Sequence, residues 1–162
     1  MRASINAGRF MALSVLAACA LAVPATASAQ SDPFIGTWQL DVAKSSYKPG
    51  PAPKSVTLAI EAAGKGMKVA VDGATADGPI KWGYTAVPDG KDVPVTGNPS
   101  ADAASVTQPS SHERVVVFKR AGKAALTSKA VVTKDGKMMT ITQDGTDTKG
   151  QTVHNVLHYM KQ

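Results

Sequence analysis

Ser55-Val56-Thr57-Leu58-Ala59-Ile60-Glu61-Ala62 is followed, after Ala63-Gly64-Lys65-Gly66, by Met67-Lys68-Val69-Ala70-Val71-Asp72. Val56, Leu58 and Ile60 share one side of the first run, and Met67, Val69 and Val71 share one side of the second. Apolar residues at every second position mark a half-buried strand, because successive side chains of an extended chain point to opposite faces. The glycines between the runs read as a tight turn, so the stretch is a β-hairpin. Gly78–Val87 continues the pattern, with Ile80, Trp82, Tyr84 and Ala86 alternating against Lys81, Gly83 and Thr85. Upstream, Ile35–Asp41 reads as a strand. Lys44–Ser55 carries Pro49, Pro51 and Pro53 and reads as an irregular connection of polyproline character.

Downstream, Pro88-Asp89-Gly90-Lys91 reads as a turn, Asp92–Thr96 as a short strand, and Gly97–Ala104 as a loop broken at Asn98-Pro99. Strands are then expected over Glu113–Arg120, Ala124–Thr133, Met138–Asp144 and Gln151–Met160. The turns between them are Ala121-Gly122-Lys123, Lys134-Asp135-Gly136-Lys137 and Gly145–Gly150. Residues 30–162 contain 15 Val and 13 Thr against 4 Leu and 4 Ile, a bias toward χ1-restricted residues that suit pleated surfaces. The expected fold is all-β, an up-and-down antiparallel meander of about 8–10 strands. Closure into a small barrel would remove its exposed edges. A β-sandwich is the competing architecture.

The first residues belong to a different kind of segment. Arg2 and Arg9 precede an uncharged run from Phe10 to Val23, Pro24 breaks it, and Ala27-Ser28-Ala29 has the small-x-small form of a cleavage site. The expected organisation is a cleaved signal peptide over 1–29 and a barrel domain over 30–162, acting in the periplasm or outside the cell. Leu16-Ala17-Ala18-Cys19 offers an alternative, a lipobox in which Cys19 is acylated and anchors the chain to lipid. Against it, the apolar run continues through Ala20-Leu21-Ala22-Val23. That run is also shorter than the ~20 residues that span a bilayer, so no transmembrane segment is expected. Cys19 is the one cysteine of the chain, so disulfides, thiol catalysis and cysteine-based metal sites are not expected of residues 30–162.

Phe34-Ile35-Gly36-Thr37-Trp38 resembles the Gly-x-Trp opening of lipocalins and fatty-acid-binding proteins, the calycin group of ligand-binding barrels. Leu157-His158-Tyr159-Met160-Lys161 is similar to the last strand of that group, aromatic then basic. The resemblance extends over residues 33–162, and Lys44 to Pro51 also looks like exported bacterial lipocalin-like proteins, a group without a settled activity. It implies a lipocalin-like barrel with Phe34, Gly36 and Trp38 as structural motif, Gly36 allowing close chain approach and Trp38 plugging the closed end. Two departures stand out. The Arg that fatty-acid-binding proteins place two residues before the final-strand Tyr is Leu157 here, and the lipocalin Thr-Asp-Tyr block is missing. The resemblance therefore implies the barrel more strongly than any cargo.

Catalytic and metal chemistry find little footing. His154 and His158 have helical metal-pair spacing, but in a strand four residues separate them by roughly 13 Å, too far to share an ion at ~2 Å bonds. Ser45-Ser46-Tyr47-Lys48 matches the Ser-x-x-Lys string of penicillin-recognising enzymes. It lacks the helix that would bring Lys48 onto Ser45, and it lacks the partner motifs. Asp89, Asp92, Asp135, Asp144 and Asp147 fall mostly at turns, where Asp commonly supports the backbone. Glu61 and Glu113 read as outward-facing.

Eighteen Lys plus Arg against 12 Asp plus Glu make the chain basic, with a formal charge of +6 that loss of Arg2 and Arg9 would lower by two. The surplus sits on turn lysines at 65, 91, 123, 134 and 137, without the clustering and stacking aromatics that nucleic acid needs. The leading reading is an exported barrel that binds a small apolar or amphiphilic molecule without chemistry and without a cofactor. Val69, Val71, Ile80, Trp82, Tyr84, Met138 and Tyr159 are the candidate lining residues. A protein-interaction barrel, such as an envelope assembly factor or inhibitor, is the second reading; an enzyme with acid/base chemistry is the third. A cavity under ~300 Å³ would favour the second. Nothing in the sequence sets an oligomeric state.

Overall fold

In the computed structural model, residues 32–162 are described, and they form ten strands. These are β1 (Gly36–Ser46), β2 (Ser55–Ala63), β3 (Gly66–Ala74), β4 (Pro79–Ala86) and β5 (Asp89–Pro94). They continue as β6 (Ala103–Ser110), β7 (Glu113–Arg120), β8 (Lys123–Val132), β9 (Met138–Thr146) and β10 (Thr152–Lys161). Residues 1–29, where a signal peptide is expected, and Cys19 with them, lie outside the described residues.

All ten strands belong to one antiparallel sheet in the order β4-β3-β2-β1-β10-β9-β8-β7-β6-β5. Every consecutive pair except β4/β5 forms a ladder, and β1 pairs with β10, with Trp38 opposite Lys161 and Leu40 opposite Tyr159. The sheet curls until its edges β4 and β5 meet, giving a nearly closed up-and-down barrel and not a sandwich. At that seam one bridge, Gly83 opposite Thr96, joins the edges. Pro79 and Pro94 lack the N–H a longer ladder would require, the usual signature of an edge strand. Glycine permits the close approach here. A Cβ on Gly97, whose φ is +81°, would lie 2.4 Å from the Lys81 carbonyl oxygen.

The period-two pattern becomes the barrel's inside and outside. Val56, Leu58 and Ile60 of β2 and Val69 and Val71 of β3 are buried, while Lys68, Ala70 and Asp72 face water. Two expectations are corrected. Residues Asp89–Lys91, read as a turn, already belong to β5, and the chain reverses at Val87-Pro88. The stretch Gly97–Ala104, read as a loop, ends inside β6. That strand's inward residues Ala104 and Val106 are fully buried but small, and Pro109 masks its extended character in the sequence.

The β1–β10 pairing shifts register between Asp41 and Ser46. Ser45 Oγ spans the irregularity, donating to the Asp41 carbonyl at 2.7 Å and accepting the His158 N–H at 3.0 Å. The Ser45 hydroxyl is thus committed to backbone on a strand, the opposite of the helical setting that Ser-x-x-Lys chemistry requires.

Candidate functional site

One end of the barrel is plugged by its own chain. Gly36 turns with φ +140° under the Lys161 side chain, and Trp38, fully buried, donates from Nε1 to the Phe34 carbonyl at 2.9 Å. Lys161 Nζ lies 4.9 Å from the Trp38 ring centroid and donates to the Pro33 carbonyl at 3.0 Å. These contacts pin residues 33–38 across the opening.

Above this plug lies a cavity of about 200 Å³. Val69, Val71, Ile80, Trp82, Tyr84 and Tyr159 all line it. Trp82 and Tyr84 stack at 6.4 Å, and both meet Phe118 of β7 edge-on, at 5.6 and 6.1 Å between ring centroids. Phe118 stands on the far side of the seam, so this trio packs across the inside of the seam that one bridge holds together.

Met138 is a correction. Its side chain is 47% exposed on the outer face, and Met139, 1% exposed, is the residue that lines the cavity. Adjacent methionines leave the phase of β9 undecided. The alternation of Thr140 and Thr142 against Ile141 points odd numbers inward, a signal that was present in the sequence.

Polar lining residues escaped the sequence reading. Arg114 of β7, 4% exposed, alternates in phase with Val116 and Phe118 and turns its guanidinium inward. Its Nη2 pairs with Asp32, Nη1 donates to Met67 Sδ at 2.9 Å, and Nε donates to Gln108 Oε1 at 3.3 Å. The Phe34 ring lies 4.2 Å from its central carbon, a cation–π contact. Higher in the wall, Ser128 of β8 and Gln143 of β9 are opposite each other, as are Gln143 and Asn155 of β10. Gln143 Nε2 donates to Ser128 Oγ at 3.2 Å, and Asn155 Nδ2 donates to Gln143 Oε1 at 3.1 Å.

Burial drives the Tyr84 phenol well above its ordinary pKa of 10.0, and the Arg114 charge offsets this only in part. Tyr159 is raised likewise by burial, with the neighbouring Tyr47 adding to it. Neither hydroxyl is poised to exchange a proton near neutral pH. Among the described residues the cavity lining contains no carboxylate and no histidine. Asp135 and Asp147 each accept a backbone N–H two residues ahead, at 3.1 and 2.8 Å, stabilising turns, and Asp89 accepts the Lys91 N–H at 3.0 Å in the irregular first part of β5. His154 contacts Asp144 at 2.6 Å and His158 contacts Thr140 at 3.3 Å. Among the described residues no three side chains are grouped to hold a metal ion, and no helix is long and apolar enough to cross a membrane.

No family model matches the chain, and no curated protein matches it in sequence. Among solved structures it is similar to zebrafish ileal bile acid-binding protein complexed with cholic acid. The TM-score is 0.53 at 12% identity, over 80% of this chain and 99% of the zebrafish chain. The likeness shows a shared antiparallel β-barrel fold.

Proposed function

We propose that this chain is an exported carrier that holds one small apolar or amphiphilic molecule in its barrel without transforming it. The observation that carries this reading is the largely apolar cavity, lined by Trp82, Tyr84 and Phe118 with Phe34 at its plugged end. Its size defines the guest. An apolar cavity of about 150 Å³ accommodates benzene, so about 200 Å³ suits a single ring with a short substituent. A steroid such as the cholic acid of the zebrafish complex exceeds that space. Burial of the guest, at roughly 25 cal/mol per Å² before ordering costs, supplies the affinity. Export rests on the charged start, apolar run and Ala27-Ser28-Ala29 site. Cleavage after Ala29 would release the barrel, whereas acylation of Cys19 would tether it.

Calorimetric titration with ring-sized guests tests the carrier reading, with micromolar to millimolar binding expected; heat from none of them would overturn it. The mass of the mature N-terminus tests export and separates cleavage from acylation.

The second reading, a protein-interaction barrel, draws on the same volume, which lies below the ~300 Å³ at which ligand pockets usually begin. A stable partner crosslinked in envelope extracts, together with a guest-free cavity, would favour it. Acid/base catalysis has the least support, because the described lining residues include no carboxylate or histidine for it to use.

A further inference from the structure

We infer that the cavity is built for a neutral, ring-sized guest carrying a hydrogen-bond acceptor, held by the Ser128 hydroxyl, and that it rejects carboxylates of the same size. This rests on the carrier reading and specifies its ligand class. Two observations carry it, one at each of two polar side chains in the lining, Arg114 and Ser128, which stand in neighbouring rows of the wall.

Arg114 is the one cation among the described lining residues, and its charge is already matched. Asp32 reaches in from the turn before β1 to pair with Nη2, while its other oxygen accepts the Phe34 N–H at 3.0 Å. Gln108 and Met67 occupy Nε and Nη1, and Phe34 covers one face of the guanidinium. An entering carboxylate would shed its water in an apolar chamber and find a neutral ion pair in place of a free cation. Removing an unpaired charge from water into such a site is strongly unfavourable.

Along the row that leads to Ser128 the direction of hydrogen bonding is set by the backbone. The Lys48 N–H can only donate, and it donates to Asn155 Oδ1 at 3.0 Å. Asn155 must therefore present its amide group to Gln143 Oε1, and Gln143 in turn presents its own to Ser128 Oγ, at 3.1 and 3.2 Å. Each step passes a donor toward the cavity. Ser128 Oγ accepts the last bond, and its own proton has no protein acceptor among the described residues. The chain ends on a hydroxyl donor, 5% exposed, in the cavity wall. Bonds aligned head to tail polarise one another and strengthen the terminal donor. The matching guest offers an acceptor, such as a carbonyl or ether oxygen, on a ring that packs against the aromatic wall.

Three probes of closely similar size separate the possibilities by calorimetry on the barrel: ethylbenzene, acetophenone and benzoate. Ethylbenzene is expected to bind by apolar burial, acetophenone about fivefold more tightly through one neutral hydrogen bond, and benzoate not measurably. Ser128→Ala should abolish the preference for acetophenone and leave ethylbenzene unchanged, while Ser128→Thr, which keeps the hydroxyl, should retain it. Benzoate binding as tightly as acetophenone would overturn the inference and leave the carrier reading intact. So would equal affinity for ethylbenzene and acetophenone. Binding of none of the three overturns both. Because the wild-type comparison decides by itself, a Ser128 variant that fails to fold does not shelter the proposal.

Discussion

Gly83 and Thr96 exchange two backbone hydrogen bonds, each 3.0 Å long, at the seam where the two edges of the sheet meet. A Cβ on Gly83 would stand 2.5 Å from the Val69 carbonyl oxygen, so β4 could admit a side chain there only by moving away from β3. Gly83→Ala is expected to cost about 1–3 kcal/mol, as overpacking does, read as a lower urea midpoint at unchanged m-value. Hydrogen exchange should also find the Gly83 and Thr96 amides opening more readily than those of the β2–β3 ladder. Equal protection in both places would contradict a weak seam.

Asp32 and Arg114 form a pair whose two halves differ in burial, with side chains 33% and 5% exposed. Asp32→Asn strands a buried cation and is expected to destabilise the barrel by about 3 kcal/mol, the low end for broken buried pairs because Asp32 is partly in water. Arg114→Met strands only a carboxylate that water can reach, so its cost should be clearly smaller. Equilibrium unfolding of the two variants checks the order, and the reverse order would mean that the guanidinium's contacts outweigh its charge.

Met138 and Met139 are adjacent but face opposite ways. Met139→Ala is expected to cost about 2–5 kcal/mol through the space it vacates, whereas Met138→Ala should stay within about 0.5 kcal/mol of the parent. Thermal unfolding of the two single variants reads the phase of β9 directly.

All three tyrosines of the chain are shifted upward by burial: Tyr47, Tyr84 and Tyr159. Tyr47 adds a hydroxyl that is buried without a hydrogen-bond partner among the described residues. The charged form of a phenol is the deprotonated one, so a folded pKa above the unfolded 10.0 stabilises the fold. That contribution is complete below pH 10 and is lost as the pH climbs through the raised values. Spectrophotometric titration should show little phenolate near pH 10, then a steep rise that coincides with alkaline unfolding. A tyrosine ionising normally in the folded protein would speak against its burial.

Much of the barrel can be read from the sequence because period two is an unambiguous signal wherever large apolar residues alternate with polar ones. The β2–β3 hairpin and the inward set Ile80, Trp82 and Tyr84 are legible for that reason. The signal fails where the inward residues are small, as Ala104 in β6, and where both phases are apolar, as at Met138-Met139. Arg114 was recoverable in part, since it falls in phase with Val116 and Phe118, but its partner is 82 residues away. The row from Ser128 through Gln143 to Asn155 was not recoverable. It exists only because two ladders bring three strands into one register, and pairing register is a property of the folded sheet.

The neighbours at the middle of the sheet, β1 and β10, are far apart along the chain. Two local meanders, β1–β4 and β5–β10, therefore become one barrel only through the β1–β10 ladder and the thin Gly83–Thr96 seam. The hairpins inside each meander can form early from nearby residues, but closure waits on the contact with the greatest sequence separation. Folding kinetics should be governed by that late, entropically costly step, in the slow regime of proteins rich in non-local pairing. Until it occurs, neither cavity nor plug exists, so formation of the cavity and completion of folding are the same event.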